Sequence, residues 1–499
     1  MTAHLVTVTT RDRIAPVEIV SNDRQTHRPH HQQATQPPIQ VKGESTMMNI
    51  RTRPGRRVLA ALISLAFVAA ACGSDDDDDA SDSPAATEAP AGSEAPAASE
   101  APSGETVEID WWHIQNNDPG LSDWQAMADA YTALHPNVKI NITVMANEAF
   151  KAAIQTNIQA GDVPDLFQSW GGGGLRDQVA AGVVRDITDE SAAFVGDLGE
   201  GAVNLYQVDG VQYGIPYNAG MVGFWYNKDL FTEAGITAPP ATWDELIADI
   251  GLLKDAGITP IAVGAGDKWP AHFWYSYLMV RLGGAEAMNQ IAADNNFSVP
   301  NVIEAGEKVA ELVALEPFQE GFLGAGWDAP DGESGAMATG AAAMDLMGQW
   351  APGAFRNQLG LEVGEELPFE LGWFPFPTVE GGAGQASDGF GGGDGFAVGK
   401  DAPPEAVDFL AFITNADNQR IWATNSGLPV NKEAKDAVTD PNMQAVLDGL
   451  NNASFVQLYL DQFFTAEVGA AVNDQTALLF ADATSPEDAA AAITAVAGG

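Results

Sequence analysis

Cysteine and positive charge are both scarce in this sequence. Cys72 is the single cysteine among 499 residues, which excludes an intramolecular disulfide framework and a cysteine-cluster metal site. Lys and Arg number 23 against 68 Asp and Glu, so the formal net charge is −45. A nucleic-acid binder needs a basic surface, and this charge balance speaks against that class. Hydrophobic residues, 45% of the chain, suffice for a sizeable core.

Sequence signatures of common enzymes are absent as well. The chain contains no G-x-S-x-G, H-E-x-x-H, G-x-x-x-x-G-K-[ST] or complete G-x-G-x-x-G motif. Beyond the N-terminal segment only His113, His135 and His272 remain, which limits general-base and metal chemistry. We therefore expect a protein that is not an enzyme and that has no cofactor and no metal.

One hydrophobic run lies near the N-terminus. Four arginines in residues 51–57 precede the apolar run 58–71, and Cys72 follows it. The run is shorter than the roughly 20 residues that a membrane-spanning helix needs, and its basic and small-residue flanks are typical of a signal peptide. The residues up to Cys72 resemble the lipobox of bacterial lipoproteins, with Ala69 in place of the usual Leu. This predicts a lipoprotein signal peptide at 47–71 and a lipidated Cys72 that anchors the chain to the extracytoplasmic face of the cell membrane.

The segments on either side of the signal peptide have compositions that disfavour folding. Residues 1–46 are polar and lack apolar periodicity, so we interpret them as a mis-assigned start or a disordered extension. Residues 72–105 contain the run Asp75–Asp79, repeated Glu-Ala-Pro and no Lys, Arg or aromatic residue. Such a segment buries too little apolar surface to offset its chain entropy. We expect it to be an extended acidic tether that begins at the lipidated Cys72.

From Thr106 onward, short apolar runs alternate with amphipathic patterns. We predict strands at 107–113, 138–145, 165–167, 258–263 and 342–346, and helices at 147–160 and 406–415. Capping boxes at Ser122–Gln125 and Thr242–Glu245 predict two helix starts. This alternation predicts an α/β fold with a parallel sheet covered by helices on both faces. Ligands of such sheets bind beyond the carboxyl ends of the strands.

Six short motifs occur in this region in a fixed order. They are Gly161–Phe167, Tyr213–Tyr217, Trp225–Phe231, Pro239–Leu246, Met344–Trp350 and Gly391–Gly395. In this order they resemble the bacterial extracellular solute-binding proteins of the sugar-binding, maltose-binding-protein-like group. The resemblance covers nearly all of 106–499 and implies a two-lobed, periplasmic-binding-protein-like (type II) fold, with a ligand cleft between discontinuous α/β lobes.

The resemblance also implies domain boundaries and a function. Lobe 1 comprises residues 106–216 plus 377–427, and lobe 2 comprises residues 217–376 plus 428–499. The resemblance implies that the protein captures a sugar by hinge closure and delivers it to the permease subunits of an ABC importer. A secreted carbohydrate-active hydrolase or lyase is the alternative from a different class. We expect a monomer whose partners are the sugar, the permease and, through Cys72, the membrane.

A sugar presents apolar C–H faces and a rim of hydroxyl groups, so its site needs aromatic plates and fixed hydrogen-bond partners. Four tryptophans are candidate plates: Trp112, Trp170, Trp274 and Trp350. Ordinary packing is the alternative for each of them. Gly171–Gly174 follow Trp170, and their missing side chains would let the backbone approach a ligand.

Polar candidates are His113, Asn116, Gln168, Asp394 and Asn425. For the first two, which follow the first predicted strand, a polar turn is the alternative. Asp394 places one carboxylate in a glycine stretch, where it can accept two sugar hydroxyls; a flexible loop is the alternative. Asn425 either binds ligand or caps a helix.

The identity of the ligand stays open. No cluster of Arg residues converges in the sequence, which disfavours strongly anionic ligands. Several tryptophans in candidate loops favour an oligosaccharide. A polyol or a peptide is the alternative within the binding class, and a structural surface lipoprotein is the alternative outside it.

Overall fold

The computed structural model describes residues 105–425 and 427–499. The predicted extension, the signal peptide, Cys72 and almost all of the tether lie outside this part. Within the described residues, no helix combines the length and the apolar character that crossing a membrane requires.

The described residues form twelve strands and seventeen α-helices. The strands are β1 (Val107–His113), β2 (Val138–Val144), β3 (Leu166–Ser169), β4 (Gln207–Val208), β5 (Val211–Gln212), β6 (Gly214–Met221), β7 (Gly223–Asn227), β8 (Thr259–Ala262), β9 (Ala342–Met347), β10 (Leu371–Phe374), β11 (Gly389–Val398) and β12 (Val456–Leu458). The first nine helices are α1 (Gly120–Leu134), α2 (Asn147–Ala160), α3 (Gly172–Ala180), α4 (Thr188–Ser191), α5 (Glu200–Asn204), α6 (Lys228–Glu233), α7 (Trp243–Asp255), α8 (Trp269–Asp294) and α9 (Pro300–Ala314). The other eight are α10 (Glu333–Ala338), α11 (Ala351–Leu359), α12 (Pro404–Ile413), α13 (Ala416–Asn425), α14 (Pro441–Asn452), α15 (Leu460–Phe463), α16 (Ala466–Phe480) and α17 (Pro486–Ala497).

Local sequence patterns predicted many of these elements. β1 and α2 have the predicted bounds, and the other predicted elements lie within a few residues of theirs. The capping box at Thr242 is present, because its side chain accepts from the backbone N–H of Glu245. The capping box predicted at Ser122 is wrong. The N-cap of α1 is Pro119, three residues earlier, and Asp118 accepts from the backbone N–H of Ser122 instead.

The first sheet has six strands in the order β12-β11-β3-β1-β2, with β6 also paired to β11. β1 pairs in parallel with β2 and with β3. β11 runs antiparallel to β3 and to β6, so the prediction of a purely parallel sheet is wrong here. The chain reaches β11 from the second sheet, at the carboxyl end of β3, and its direction is therefore reversed.

The second sheet has four strands in the order β10-β7-β9-β8. β6 ends in the first sheet at Met221 and β7 begins in the second at Gly223, so the chain passes between the sheets at Val222. The segment between β10 and β11 makes a further passage. The predicted lobe boundary at 216/217 falls within β6, and the division into two lobes stays a prediction.

Each sheet is covered by its own hydrophobic side chains. Ile109 and Trp111 of β1 are fully buried among residues of α1, α12 and β11. Phe224 of β7 and Met344 of β9 are equally buried in a larger core around the second sheet. Helix α8 crosses this larger core, and all residues from Pro270 to Leu282 are buried. A helix that is apolar on every side is typical of such a central position.

Two acids are buried together in the larger core. Glu333 begins α10 and accepts from the backbone N–H of Gly264 at 2.6 Å, while Asp345 lies on β9 with no exposed surface. Within the described residues, neither carboxylate oxygen of Asp345 has a hydrogen-bond partner. Burial raises the pKa of both carboxyl groups well above the ordinary range, and the charge of Asp345 adds to the rise at Glu333.

The variant Asp345→Asn is expected to raise the free energy of unfolding by about 1–2 kcal/mol at pH 8. The folded chain keeps a proton that the unfolded chain releases above pH 4, so stability falls as the pH rises towards the elevated pKa. Asparagine removes this titration at nearly constant volume. Urea unfolding of the wild-type protein and of the variant at pH 5 and pH 8 measures how the free energy of unfolding depends on pH. An equal pH dependence in the two proteins would contradict the prediction.

Candidate functional site

Side chains from three neighbouring strands of the first sheet form a polar network. Gln168 is on β3, Asp394 on β11, and Tyr217 and Asn218 on β6. Gln168 Nε2 donates to Asp394 Oδ1 at 3.1 Å, and Asn218 Nδ2 donates to Asp394 Oδ2 at 3.0 Å. The hydroxyl of Tyr217 donates to Gln168 Oε1 at 3.1 Å. The structure thus brings two predicted polar residues, Gln168 and Asp394, into direct contact.

Trp170 lies at the edge of this polar network. Its side chain is close enough to Asp394 to help lower the pKa of that carboxyl group, and its partly exposed ring lies 6.1 Å from the ring of Phe150. Lys151 Nζ is 5.5 Å from the centroid of the same ring. Trp170 therefore lies beside Asp394, and the donors Gln168 and Asn218 occupy part of the capacity of this carboxylate to accept hydrogen bonds.

Burial and hydrogen bonding shift the pKa values of Asp394 and Tyr217 in this network. Burial raises the pKa of Asp394, while hydrogen bonds from Asn218, Trp170 and Gln168 lower it. Burial also raises the pKa of Tyr217 well above its ordinary value. The phenol therefore remains a hydrogen-bond donor at neutral pH.

An aromatic cluster of the larger core lies next to the network. It consists of Trp269, Phe273, Trp350 and Tyr459, with the ring of Trp350 at 6.3 to 6.5 Å from the other three. Tyr459 stacks on Phe273 at 5.3 Å. Burial raises the pKa of Tyr459, and the nearby charge of Asp394 raises it further. Tyr459 thus connects the aromatic cluster to the polar network, and Trp350 remains partly exposed beside them.

The glycines after Trp170 serve close backbone packing. A Cβ at Gly173 would overlap the carbonyl oxygen of Phe464, and one at Gly172 would overlap that of Gln462. The expectation that these glycines admit a ligand is wrong at both positions, because residues 462–464 fill the space. Gly391–Gly395 lie within β11. The alternative that this glycine stretch around Asp394 is a flexible loop is therefore wrong.

Two residues that are predicted to contact the ligand, Trp274 and His113, lie inside hydrophobic cores. Trp274 is 1% exposed and packs edge-on against Phe224 at 5.3 Å. His113 is also 1% exposed, its ring lies 4.8 Å from Trp111, and burial lowers its pKa to about 4. Alternate residues of a strand share one face, so His113 points into the same core as Trp111. Both positions favour packing over ligand contact.

The remaining predicted residues lie apart from the network. Trp112 points to the other face of β1 and packs, partly buried, against the core that contains Phe150. Asn116 is exposed in the loop after β1. Asn425 Nδ2 donates to Asp123 Oδ1 at 2.9 Å and joins α13 to α1, which favours a structural role.

The same loop after β1 reaches residues on the side of the second sheet. The side chain of Asn117 donates to Asp328, and that of Asn357 donates to the backbone carbonyl of Asp118. Asp328 also accepts from Gln358 Nε2 at 3.0 Å. We call the first two hydrogen bonds the rim contacts. They connect the carboxyl end of β1 to α11 and to the segment before α10.

Sequence reasoning missed Lys151, Asn218 and Tyr459. Tyr459 directly follows β12, so a search at that strand end would have found it. Asn218 lies in the middle of a strand and Lys151 on a helix, and no local signal distinguishes them from structural or surface residues.

Comparison with known proteins agrees with this architecture. Residues 117–420 match the family model of the bacterial extracellular solute-binding proteins. A multiple sugar-binding protein of Streptococcus mutans is 27% identical over 313 residues, which are 59% of this chain and 69% of that protein. A diacetylchitobiose-binding protein of Streptomyces coelicolor is 25% identical over 301 residues, which are 55% of this chain and 64% of that protein.

A solved structure leads to the same family. It comes from work on xylan utilization by the thermophilic bacterium Caldanaerobius polysaccharolyticus, with 26% identity and a TM-score of 0.71 over 78% of this chain and 99% of that chain. The α/β fold of the type II periplasmic-binding-protein class and the resemblance inferred from six ordered motifs are both confirmed. The chain belongs to the bacterial extracellular solute-binding proteins.

Proposed function

We propose that this protein is the sugar receptor of an ABC importer and that Trp170 and Trp350 bind the apolar faces of the sugar. The observation that carries this proposal is the placement of both rings, each partly exposed, beside the polar network around Asp394. Aromatic plates next to fixed donors and acceptors match the surface of a carbohydrate. The names of the relatives, which bind multiple sugars or diacetylchitobiose, support the same ligand class.

Binding is proposed to close the two predicted lobes on the ligand. A ligand shifts such an equilibrium only by its differential affinity for the two states. Trp170 lies on the side of the first sheet and Trp350 on the side of the larger core, so both rings touch one sugar only when the lobes approach. The protein acts as a monomer. In its closed state it delivers the sugar to the permease without changing the sugar chemically.

The lipid anchor is part of the proposal. Acyl chains on Cys72 bind the membrane more firmly than a single chain does, and the acidic segment 73–105 allows the receptor to reach the permease. The variant Cys72→Ser is expected to move the receptor from the membrane fraction to the medium. If the variant stays at the membrane although it carries no lipid label, the lipid anchor is contradicted. The proposal that the protein binds a sugar is unaffected by this result.

The sugar ligand is tested with the purified folded part, residues 105–499. Thermal shift and titration calorimetry with raffinose, xylotriose, N,N′-diacetylchitobiose and galactose are expected to show one binding class, because a ligand of the native state raises the unfolding midpoint. Amino acids, a dipeptide and a polyol serve as the comparison panel. Chromatography after incubation is expected to return the sugar intact. Cleaved sugar would support an enzyme, and binding restricted to the comparison panel would contradict the sugar receptor.

The rim contacts are expected to favour the closed state. The double variant Asn117→Ala, Asn357→Ala is expected to weaken sugar binding about threefold, since two partly exposed hydrogen bonds contribute a few tenths of a kcal/mol each. Titration calorimetry measures the change, with Asn452→Ala on the exposed end of α14 as the control. Equal affinity of the double variant and the control would show that these contacts do not contribute to closure.

A further inference from the structure

Three ionisable side chains meet where the two cores approach each other. Lys151 Nζ on α2 lies 3.7 Å from Asp461 Oδ2 on α15, and His272 Nε2 on α8 lies 3.8 Å from Asp461 Oδ1. Lys151 Nζ also lies 3.5 Å from Glu148 Oε1 on its own helix. Lys151 follows Phe150, whose core also packs against Trp112. Asp461 follows Leu460, which belongs to the larger core around the second sheet. The cluster therefore joins side chains of α2, α8 and α15.

The cluster lies beside Trp170 and beside the aromatic cluster that contains Trp350. Lys151 Nζ is 5.5 Å from the centroid of the Trp170 ring. Asp461 comes two residues after Tyr459, whose pKa its charge helps to raise, and Tyr459 is 6.5 Å from Trp350. His272 is edge-on to Phe273 of the aromatic cluster at 5.1 Å. A sugar that stacks on Trp170 therefore lies close to Lys151 and to its neighbour Asp461.

The spacing within the cluster leaves room for hydrogen bonds that the protein does not make. Separations of 3.5 to 3.8 Å exceed the 2.7–3.2 Å of ordinary N–H···O bonds. Among the described residues, neither ring nitrogen of the fully buried His272 has a hydrogen-bond partner of ordinary geometry. Buried polar groups are normally paired. Unused capacity of this kind, beside two aromatic plates, indicates a ligand position.

Asp461 keeps its negative charge at neutral pH. Burial alone would raise the pKa of Asp461, but His272, Lys151 and hydrogen bonds from Asn473 and Gln462 together hold this pKa below its ordinary value. Asp461 is therefore an acceptor. The ammonium group of Lys151 supplies three donors.

We propose that Lys151 and Asp461 form a two-sided clamp that binds hydroxyl groups of one sugar ring. Lys151 donates to a hydroxyl oxygen, and Asp461 accepts from the same or the adjacent hydroxyl. The proposal rests on the sugar receptor proposed above and names two specificity-determining residues for it. The two side chains come from different helices, α2 and α15, so the clamp contacts the sugar ring at two points.

The clamp also predicts which sugars are rejected. A sugar that lacks the clamped hydroxyl leaves both charged groups unpaired, and such losses discriminate strongly between ligands. A uronic acid places a carboxylate next to Asp461, so the cleft favours uncharged sugars.

The clamp is tested by titrating whichever of raffinose, xylotriose, diacetylchitobiose and galactose binds the wild-type protein. Lys151→Met and Asp461→Asn are each expected to weaken binding at least tenfold. Glu148→Gln is the matched control, because Glu148 contacts Lys151 from the exposed side of α2, and its effect is expected to stay below twofold. Lys151→Arg retains the charge and is expected to recover part of the affinity. Unfolding midpoints without sugar check that each variant is folded.

The outcomes separate the clamp from the proposed function. If the wild-type protein binds a sugar and both Lys151→Met and Asp461→Asn bind it within twofold of wild type, the clamp is overturned and the receptor stands. If the wild-type protein binds none of these sugars, both proposals are overturned. If Asp461→Asn fails to fold, the comparison of Lys151→Met with Glu148→Gln decides the question.

Discussion

Replacement of Trp350 by alanine is expected to weaken sugar binding about thirtyfold, which corresponds to about 2 kcal/mol. The partly exposed ring packs against Trp269, Phe273 and Tyr459, so it offers a rigid plate on one face and costs little conformational entropy on binding. Truncation removes the plate and leaves the cluster behind it in place. Titration calorimetry with the sugar selected in the panel measures this loss.

Two controls separate stacking from folding at this position. Trp350→Phe keeps part of the aromatic face and is expected to lose less affinity than the alanine variant. The unfolding midpoint without sugar is expected to change little, because the ring is partly exposed. An alanine variant that binds as tightly as the wild-type protein would assign Trp350 to packing alone.

Replacement of Asp394 by alanine is expected to lower the free energy of unfolding by about 3 kcal/mol. Its carboxylate accepts from Gln168 and Asn218, so removal leaves buried donors without a partner. Asn218 Oδ1 also accepts from the backbone N–H of Leu428 at 3.0 Å, which extends the network to a further segment. The same variant disturbs the network beside Trp170, so sugar affinity is expected to fall as well.

Urea unfolding monitored by tryptophan fluorescence measures this stability change. Asp255→Ala, at the exposed end of α7, is the control and is expected to stay within about 0.5 kcal/mol of the wild-type protein. A loss of sugar affinity without a loss of stability would mean that Asp394 binds the ligand directly. Unchanged stability and affinity would contradict both roles.

Tryptophan position shows how far sequence reasoning reaches. Trp170 and Trp350 each follow a strand, and the rule that ligands lie beyond strand ends selected them. Trp274 was selected for its residue type, yet it lies in α8, where Ala271 to Leu282 are buried without interruption. The all-round apolar character of this helix is visible in the sequence and predicts a core position. Residue type alone, without a prediction of burial, therefore does not identify a ligand contact.

The polar residues show where sequence reasoning ends. Gln168 and Asp394 are 226 positions apart and were selected separately, and the antiparallel pairing of β3 with β11 places them in contact. Lys151 and Asp461 lie on unrelated helices and carry no local mark of function. Their proximity depends on how the two cores approach each other.

The sequence by itself determined the order of strands and helices, the family and the absence of common catalytic motifs, because periodicity, capping residues and short motifs act over a few neighbouring residues. Only the tertiary structure decided that His113 and Trp274 are buried, that Asp394 is the centre of a hydrogen-bond network and that Lys151 meets Asp461. Burial, hydrogen bonding and ion pairing depend on side chains that are distant along the chain, and no local pattern records those distances.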